Sequence, residues 1–307
     1  MSSQIPAYQD LHSRQILSRR ARVARDLQTS CTLCGRRCGT DRAKEPGPCR
    51  MQLKAWVASF GPHHGEENPL RGTSGSGTIF FSSCNLQCLY CQNADISQRL
   101  SGREVSSHEL AGIMLALQAQ NCHNINLVSP SHVVAEILEA LLLAARQGLH
   151  LPLVWNSGGY DSLDALALLD GVVDIYMPDM KYAHAAVGKT YSGVPDYPGV
   201  NREAVREMHR QVGDLQIDEH GIATRGLLVR HLVLPGELAG TGQVLRFLAD
   251  EISTNTYLNL MDQYRPCYRA RENPPLNRPL TCGEFAQAVQ AAAESGLTRL
   301  DKRRSFH

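Results

Sequence analysis

Residues 124–181 read NINLVSPSHVVAEILEALLLAARQGLHLPLVWNSGGYDSLDALALLDGVVDIYMPDMK. Three apolar runs of strand length stand in this stretch: Asn124–Val128, Leu151–Trp155 and Val172–Met177. Two helical stretches separate them, His132–Gln147 and Leu163–Leu169, and Gly148 closes the first. The strand runs are continuous rather than alternating, as they are when helices cover a sheet. Strand, helix, strand, helix, strand specifies right-handed βαβ units and a parallel sheet.

The same alternation extends in both directions. Upstream lie the strand Thr78–Ser82 and the helix Ser107–Gln120, with Ser106 or Ser107 as its cap. Downstream come helix Asn201–Gln211, strand Gly226–Leu234, helix Gln243–Ile252, strand Thr256–Met261 and helix Cys282–Ser295. Six strand–helix units fall short of the eight that close a barrel. The expected fold is therefore α/β, a partial (β/α)6 TIM-like barrel, with a doubly wound sheet as the alternative. In either, ligands gather at the C-terminal ends of the strands.

Ten cysteines in 307 residues are too few for a disulfide-stapled secreted scaffold, which carries roughly 8–10%. With 43% hydrophobic and 20% charged residues the chain is globular and not disordered. No apolar run reaches the ~18 residues of a membrane span, and MSSQIPAYQDLHSRQ lacks an apolar signal core. A cytoplasmic location is expected. The net charge of +1 hides a division: residues 1–50 carry +6 and the remainder −5. Residues 1–70 are thus expected to form a basic helix and a cysteine-rich extension, with the barrel in residues 71–307. The Arg-rich stretch Ser13–Asp26 reads as a surface helix with a solvated basic face. The near-zero total argues against a nucleic-acid binder.

Seven cysteines fall in two groups, which in a reducing compartment point to metal before disulfides. Cys84, Cys88 and Cys91 in FFSSCNLQCLYCQN give C-x3-C-x2-C directly after the first strand. Three thiolates so spaced can hold three irons of one cubane cluster and leave the fourth open, as a catalytic metal site requires. Zinc or buried free thiols are the plainer readings. Cys31, Cys34, Cys38 and Cys49 give C-x2-C-x3-C-x10-C. Four thiolates make a closed set, suited to structural zinc or to a second iron–sulfur cluster. Arg36, Arg37, Arg42, Lys44 and Arg50 would offset its negative charge.

The triplet, with Tyr90 before its last cysteine, resembles the signature of the radical S-adenosylmethionine (SAM) superfamily. The segments GSGTIFFSSCNLQCLYCQN, NINLVSPSHV, DGVVDIYMPDMKY and LLVRHLVLPG together resemble the pyruvate formate-lyase activating enzyme-like family, in its branch with an N-terminal four-cysteine segment. The resemblance implies a 4Fe-4S cluster on Cys84, Cys88 and Cys91, SAM bound at its open iron, and a 5′-deoxyadenosyl radical that abstracts hydrogen. It implies a glycyl-radical enzyme as protein substrate and a flavodoxin- or ferredoxin-like electron donor. Modification of another peptide or of RNA is the alternative, and a non-catalytic metal-binding scaffold a remoter one.

The resemblance also suggests site residues. Tyr90, Ser129, Ser131, Asn156, Asp179, Lys181 and Arg230 are expected around SAM. Ser83 replaces the family's glycine, and Ser129–His132 replaces its Gly-Gly-Glu stretch. Ser129 is further expected to cap the second helix, with Pro130 at its first position. Met177, Asp179 and Lys181 share one strand face by alternation, so the last two can pair. Arg230 lies in an apolar run, where a charge is rarely idle, and its guanidinium matches a carboxylate. His231 faces away and reads as structural. Two further stretches resemble family segments without an assigned role: Pro62–Leu70, read as a solvated loop with Glu66 and Glu67, and Tyr191–Pro198.

Overall fold

The computed structural model describes residues 5–301. Met1–Gln4 and Lys302–His307, the outer ends of the two expected segments, lie outside the described residues. Nine strands form one sheet system: β1 (Ala55–His63), β2 (Ser76–Phe81), β3 (Arg103–Val105), β4 (Ile125–Val128), β5 (Leu153–Ser157), β6 (Ile175–Pro178), β7 (Gln216–Ile217), β8 (Ala223–Leu232) and β9 (Tyr257–Met261). Six of them, β2, β4, β5, β6, β8 and β9, run parallel in that order. They are the six apolar runs of the sequence.

The order advances in one direction and never reverses, which sets the fold apart from a doubly wound sheet. Among the described strands β9 pairs with β8 and not with β2, so the barrel remains open. The fold is a partial TIM-like barrel. β1 and β3 extend the sheet antiparallel beyond β2. β1 thus brings the first seventy residues into the barrel's own sheet.

Outward-facing residues such as Ile125, Leu127 and Trp155 pack under the helices in the main core. The helix Ile16–Asp26 joins this core through Leu17, Ala21 and Ala24 and lies against the helix Val134–Arg146. Its Arg25 pairs with Glu136 at 3.2 Å and also with Glu139, so its basic face is partly engaged. The helix Ser107–Ala119 opens with a capping box of Ser106 and Glu109.

The expected cap at Ser129 is not formed. The helix begins at Val134, with Val133 before it and no side-chain cap. Ser129 instead adopts a left-handed backbone, with φ of 56°, and donates its N–H to Asn156 O at 2.8 Å. Four residues then turn before the helix starts.

The inward faces form a second, smaller core. Leu70, from the loop before β2, packs with Val154, Ile175, Met177 and Leu228 inside the barrel. Asn124 Nδ2 donates to Leu70 O at 2.8 Å and ties this plug to the start of β4. No helix among the described residues is long and apolar enough to cross a membrane.

His231 faces out of the barrel as expected. Its Nδ1 donates to Met180 O at 2.5 Å, and Nε2 lies 2.9 Å from Thr241 Oγ1. Burial lowers its pKa to about 4. A base with a depressed folded pKa stabilises the fold less as pH falls from the unfolded value of about 6.5 towards 4. The stability advantage of wild type over His231→Gln should shrink by about 2 kcal/mol between pH 7.5 and pH 5. Denaturant unfolding at both pH values tests this, and an unchanged gap would refute it.

Candidate active site

The cluster loop leaves β2 through Ser83, whose φ of 68° lies in the left-handed region. A side chain is disfavoured there by roughly 1–2 kcal/mol. Its hydroxyl offsets the strain by donating to Cys49 O at 2.6 Å. The loop is then pinned from the far side, as Leu89 N donates to Tyr191 O at 2.9 Å and Gln87 N to Ser192 O at 3.3 Å.

All three triplet cysteines line one cavity of about 220 Å³. Its wall takes residues from the C-terminal end of every parallel strand. These include Phe80 from β2, Ser129 after β4, Asn156 from β5, Asp179 after β6, Arg230 from β8 and Met261 from β9. Tyr90 and Lys181 also line it. Ser131 does not. It is buried behind the wall and hydrogen-bonds the Asp161 carboxylate. Met177 lies below, in the inner core.

The thiols have separate partners. Cys88 Sγ lies 2.9 Å from Ser192 Oγ, Cys91 Sγ 3.1 Å from Ser97 Oγ, and Cys84 Sγ accepts from Leu86 N at 3.4 Å. As placed, no three His, Cys, Asp or Glu side chains among the described residues are grouped as a metal site. Ligation by the triplet therefore involves turning these side chains into the cavity they already line. Burial, reinforced by Cys88, pushes the Cys84 thiol up to about 12. Burial also raises Cys88, against the pull of Lys181.

Two ion pairs occupy the cavity wall. Lys181 Nζ meets Asp179 Oδ2 at 2.5 Å, as the strand alternation predicts. Arg230 Nε lies 3.0 Å from Glu67 Oε1, and Arg230 Nη1 donates to Asn156 Oδ1 at 3.3 Å. Burial opposes the Arg230 charge, but Glu67, Glu66 and Asp179 outweigh it and keep the guanidinium protonated. The expectation of a solvated loop is thus overturned: Glu67 is 0% and Glu66 7% exposed. The loop carries the counter-charge for Arg230, and Asn259 Nδ2 donates to the same Glu67 oxygen.

Gly159 explains the glycine-rich turn after β5. At φ of 68°, a β-carbon there would stand 2.1 Å from Asp179 O. Only glycine lets the β5 and β6 loops approach so closely. The Tyr197 hydroxyl joins the same loops, lying within 3.0 Å of Gly158 O and Asp179 O.

A family model described as a 4Fe-4S single cluster domain matches residues 70–176, which hold the triplet. Over 292 residues the chain is 31% identical to the uncharacterized protein MJ0674 of Methanocaldococcus jannaschii, covering 92% of this chain and 80% of that protein. The chain belongs to that protein's family. A solved structure described as "Native anSMEcpe with bound AdoMet" is similar with a TM-score of 0.47 and 10% identity. That similarity covers 69% of this chain and 57% of that one. The cysteine triplet follows the first parallel strand of the partial barrel, inside the segment that the 4Fe-4S single cluster model matches. The matched segment takes in Ser129 and Asn156 but ends before Asp179, Lys181 and Arg230.

Sequence reasoning assigned Glu67 to a solvated loop and passed over Ser192, Tyr182 and Tyr197. Glu67, Ser192 and Tyr197 lie in the two segments that resemble family stretches without an assigned role, and Tyr182 closes the segment DGVVDIYMPDMKY. Removing one partner of a buried ion pair costs roughly 3–5 kcal/mol, because the other charge is left uncompensated. Glu67→Gln should therefore lower the unfolding free energy by about 3 kcal/mol. Adding Arg230→Met should restore part of that loss. Guanidinium unfolding of the single and double variants decides it; a neutral single variant would contradict the assignment.

Proposed function

We propose that the chain is a radical SAM enzyme, with a 4Fe-4S cluster held by Cys84, Cys88 and Cys91. The observation that carries this is the convergence of the triplet, Asn156, Asp179, Lys181 and Arg230 on one cavity at the strand ends. The donor set fits: three thiols in a C-x3-C-x2-C loop leave one iron without a protein ligand. Bound there, the cluster supplies the electron that cleaves SAM reductively to methionine and a 5′-deoxyadenosyl radical.

The chain's own residues bind, orient and exclude water. Arg230 presents a guanidinium held in place by Glu67 and Asn156, suited to the carboxylate of SAM. Lys181 and Asp179 offer a cation and an anion side by side for the other polar ends of SAM. Tyr90 and Tyr182 pack edge to face, and Tyr182 OH donates to Tyr90 OH at 2.7 Å. This buried wall keeps water from the reacting centre. Ser131 acts at one remove, through Asp161.

The substrate we infer is a glycine Cα–H of a glycyl-radical enzyme, with reducing equivalents from a flavodoxin- or ferredoxin-like donor. The support for both is the sequence resemblance. Modification of another peptide or of RNA is the second reading. A cytoplasmic site of action suits an oxygen-sensitive cluster.

Anaerobic reconstitution followed by dithionite and SAM tests the chemistry. Wild type should form 5′-deoxyadenosine, and Cys88→Ala should form none above background. No product from wild type, or equal amounts from both, would sink the proposal. Arg230→Lys keeps the charge but loses the fork. It should raise the KM for SAM about tenfold, the worth of one charge-assisted hydrogen bond, with iron content unchanged. An unchanged KM would remove Arg230 from the SAM site.

A further inference from the structure

The four N-terminal cysteines are folded into one tight unit that lies outside the segment matched by the 4Fe-4S cluster model. Cys31 N donates to Thr40 O, Gly39 N to Cys31 O and Arg37 N to Cys34 O, each at 3.0 Å. These bonds double the segment back on itself. A β-carbon at Gly47 would lie 3.5 Å from Cys38 Sγ and 3.6 Å from Cys49 Sγ, so both sulfurs close over a residue without a side chain. The amides of Leu33 and Arg36 point at the sulfurs of Cys31 and Cys34 respectively.

A second observation concerns Arg42. It is 1% exposed and donates to backbone carbonyls, His132 O at 2.8 Å, Met51 O at 3.3 Å and Gln52 O. None of these is an anion. Glu136, already paired with Arg25, and the Cys31 sulfur are charge neighbours of Arg42. A guanidinium buried this fully requires nearby negative charge. Metal-bound thiolates would add to the charge that Glu136 supplies.

A third observation ties this unit to the catalytic loop. Ser83 Oγ donates to Cys49 O at 2.6 Å, and Arg36 Nε donates to Asn85 O at 2.5 Å. Asn85 Nδ2 and Gly35 N both donate to Tyr160 O, at 2.7 and 3.0 Å. The residues before and after Cys84 are therefore both held by the four-cysteine segment. Gly35 is required there, since a β-carbon would stand 2.9 Å from the Tyr160 ring.

We propose that Cys31, Cys34, Cys38 and Cys49 bind one zinc ion as a closed tetrathiolate, and that this site holds the loop carrying Cys84 in place. As with the triplet, ligation involves turning the cysteine side chains. Four thiols in a closed set, two of them meeting over the Gly47 turn, match the tetrahedral four-cysteine sites of structural zinc. The coupling half of the proposal rests on Cys84 being a cluster ligand; the zinc half does not. Ser83 and Asn85 are positioning residues.

Metal analysis of the purified full chain tests the zinc half. About one zinc per chain should be found in wild type, and also in a Cys84→Ser, Cys88→Ser, Cys91→Ser variant. It should be lost from Cys34→Ser and Cys49→Ser. Should those two variants fail to fold, cobalt-grown wild type provides the second readout, the visible bands of a tetrahedral tetrathiolate. About four irons with sulfide on the triplet variant, or no metal at all, would overturn the assignment.

Ser83→Ala tests the coupling. It should retain its zinc yet release cluster iron to a chelator several-fold faster than wild type. An unchanged release rate would overturn the coupling. Failure of wild type to form deoxyadenosine, with zinc still present, would refute only the radical SAM reading.

Discussion

A six-stranded barrel has an unpaired seam, and in this protein the buried ion pair of Arg230 and Glu67 spans it. Arg230 stands on β8, and Asn259, which bonds the same Glu67 oxygen, stands on β9. Glu67 comes from the loop before β2, on the other side of the opening. No ladder hydrogen bonds join β9 to β2, so side chains must set the distance between them. Burying two charges costs several kcal/mol each before their attraction repays it. The return is positional. The pair fixes one wall of the barrel against the other and places a guanidinium head at the cavity.

That constraint leads to the cluster loop. The loop starts where β2 ends, so anything that fixes β2 against the rest of the barrel also fixes Cys84. The loop has little regular structure and is held by contacts from outside. Cys49 O meets Ser83, Ile96 O accepts from Ser83 N, and Tyr191 O and Ser192 O meet the amides beyond. Two segments far apart in sequence thus grip it from either end. A strained Ser83 is tolerable because those contacts overdetermine its backbone.

How legible this was depends on the period of each signal. Each strand run of four to ten residues carries its own hydrophobicity, so six strands and their helices could be read directly. Asp179 and Lys181 pair as expected, but β6 ends at Pro178 and both stand in the loop beyond it. Long-range pairings were not legible in the same way. Glu67 looks like any carboxylate in a polar loop, because its partner Arg230 lies over 160 residues away. Ser129 carries the side chain of a good helix cap, but its N–H bonds Asn156 O of β5 and its backbone turns left-handed instead. Tertiary hydrogen bonding overrode local preference there. Ser83 stands where the family carries a glycine, and only the structure shows its left-handed backbone.

The electrostatics of the cavity follow from these pairings. Lys181 is matched by Asp179 and Arg230 by Glu67, so the side chains around the triplet nearly cancel one another. Lys181 still favours the Cys88 thiolate, but burial outweighs it. Burial then dominates, and it holds Cys84 and Cys88 as neutral thiols. On the proposed reading of the triplet as cluster ligands, thiolates form as metal arrives, with release of protons, so loading becomes more favourable as pH rises. A site neutral when empty and anionic when filled suits a barrel mouth that must stay folded in both states. It also explains why its two cations are each tethered to an acid rather than to the sulfurs.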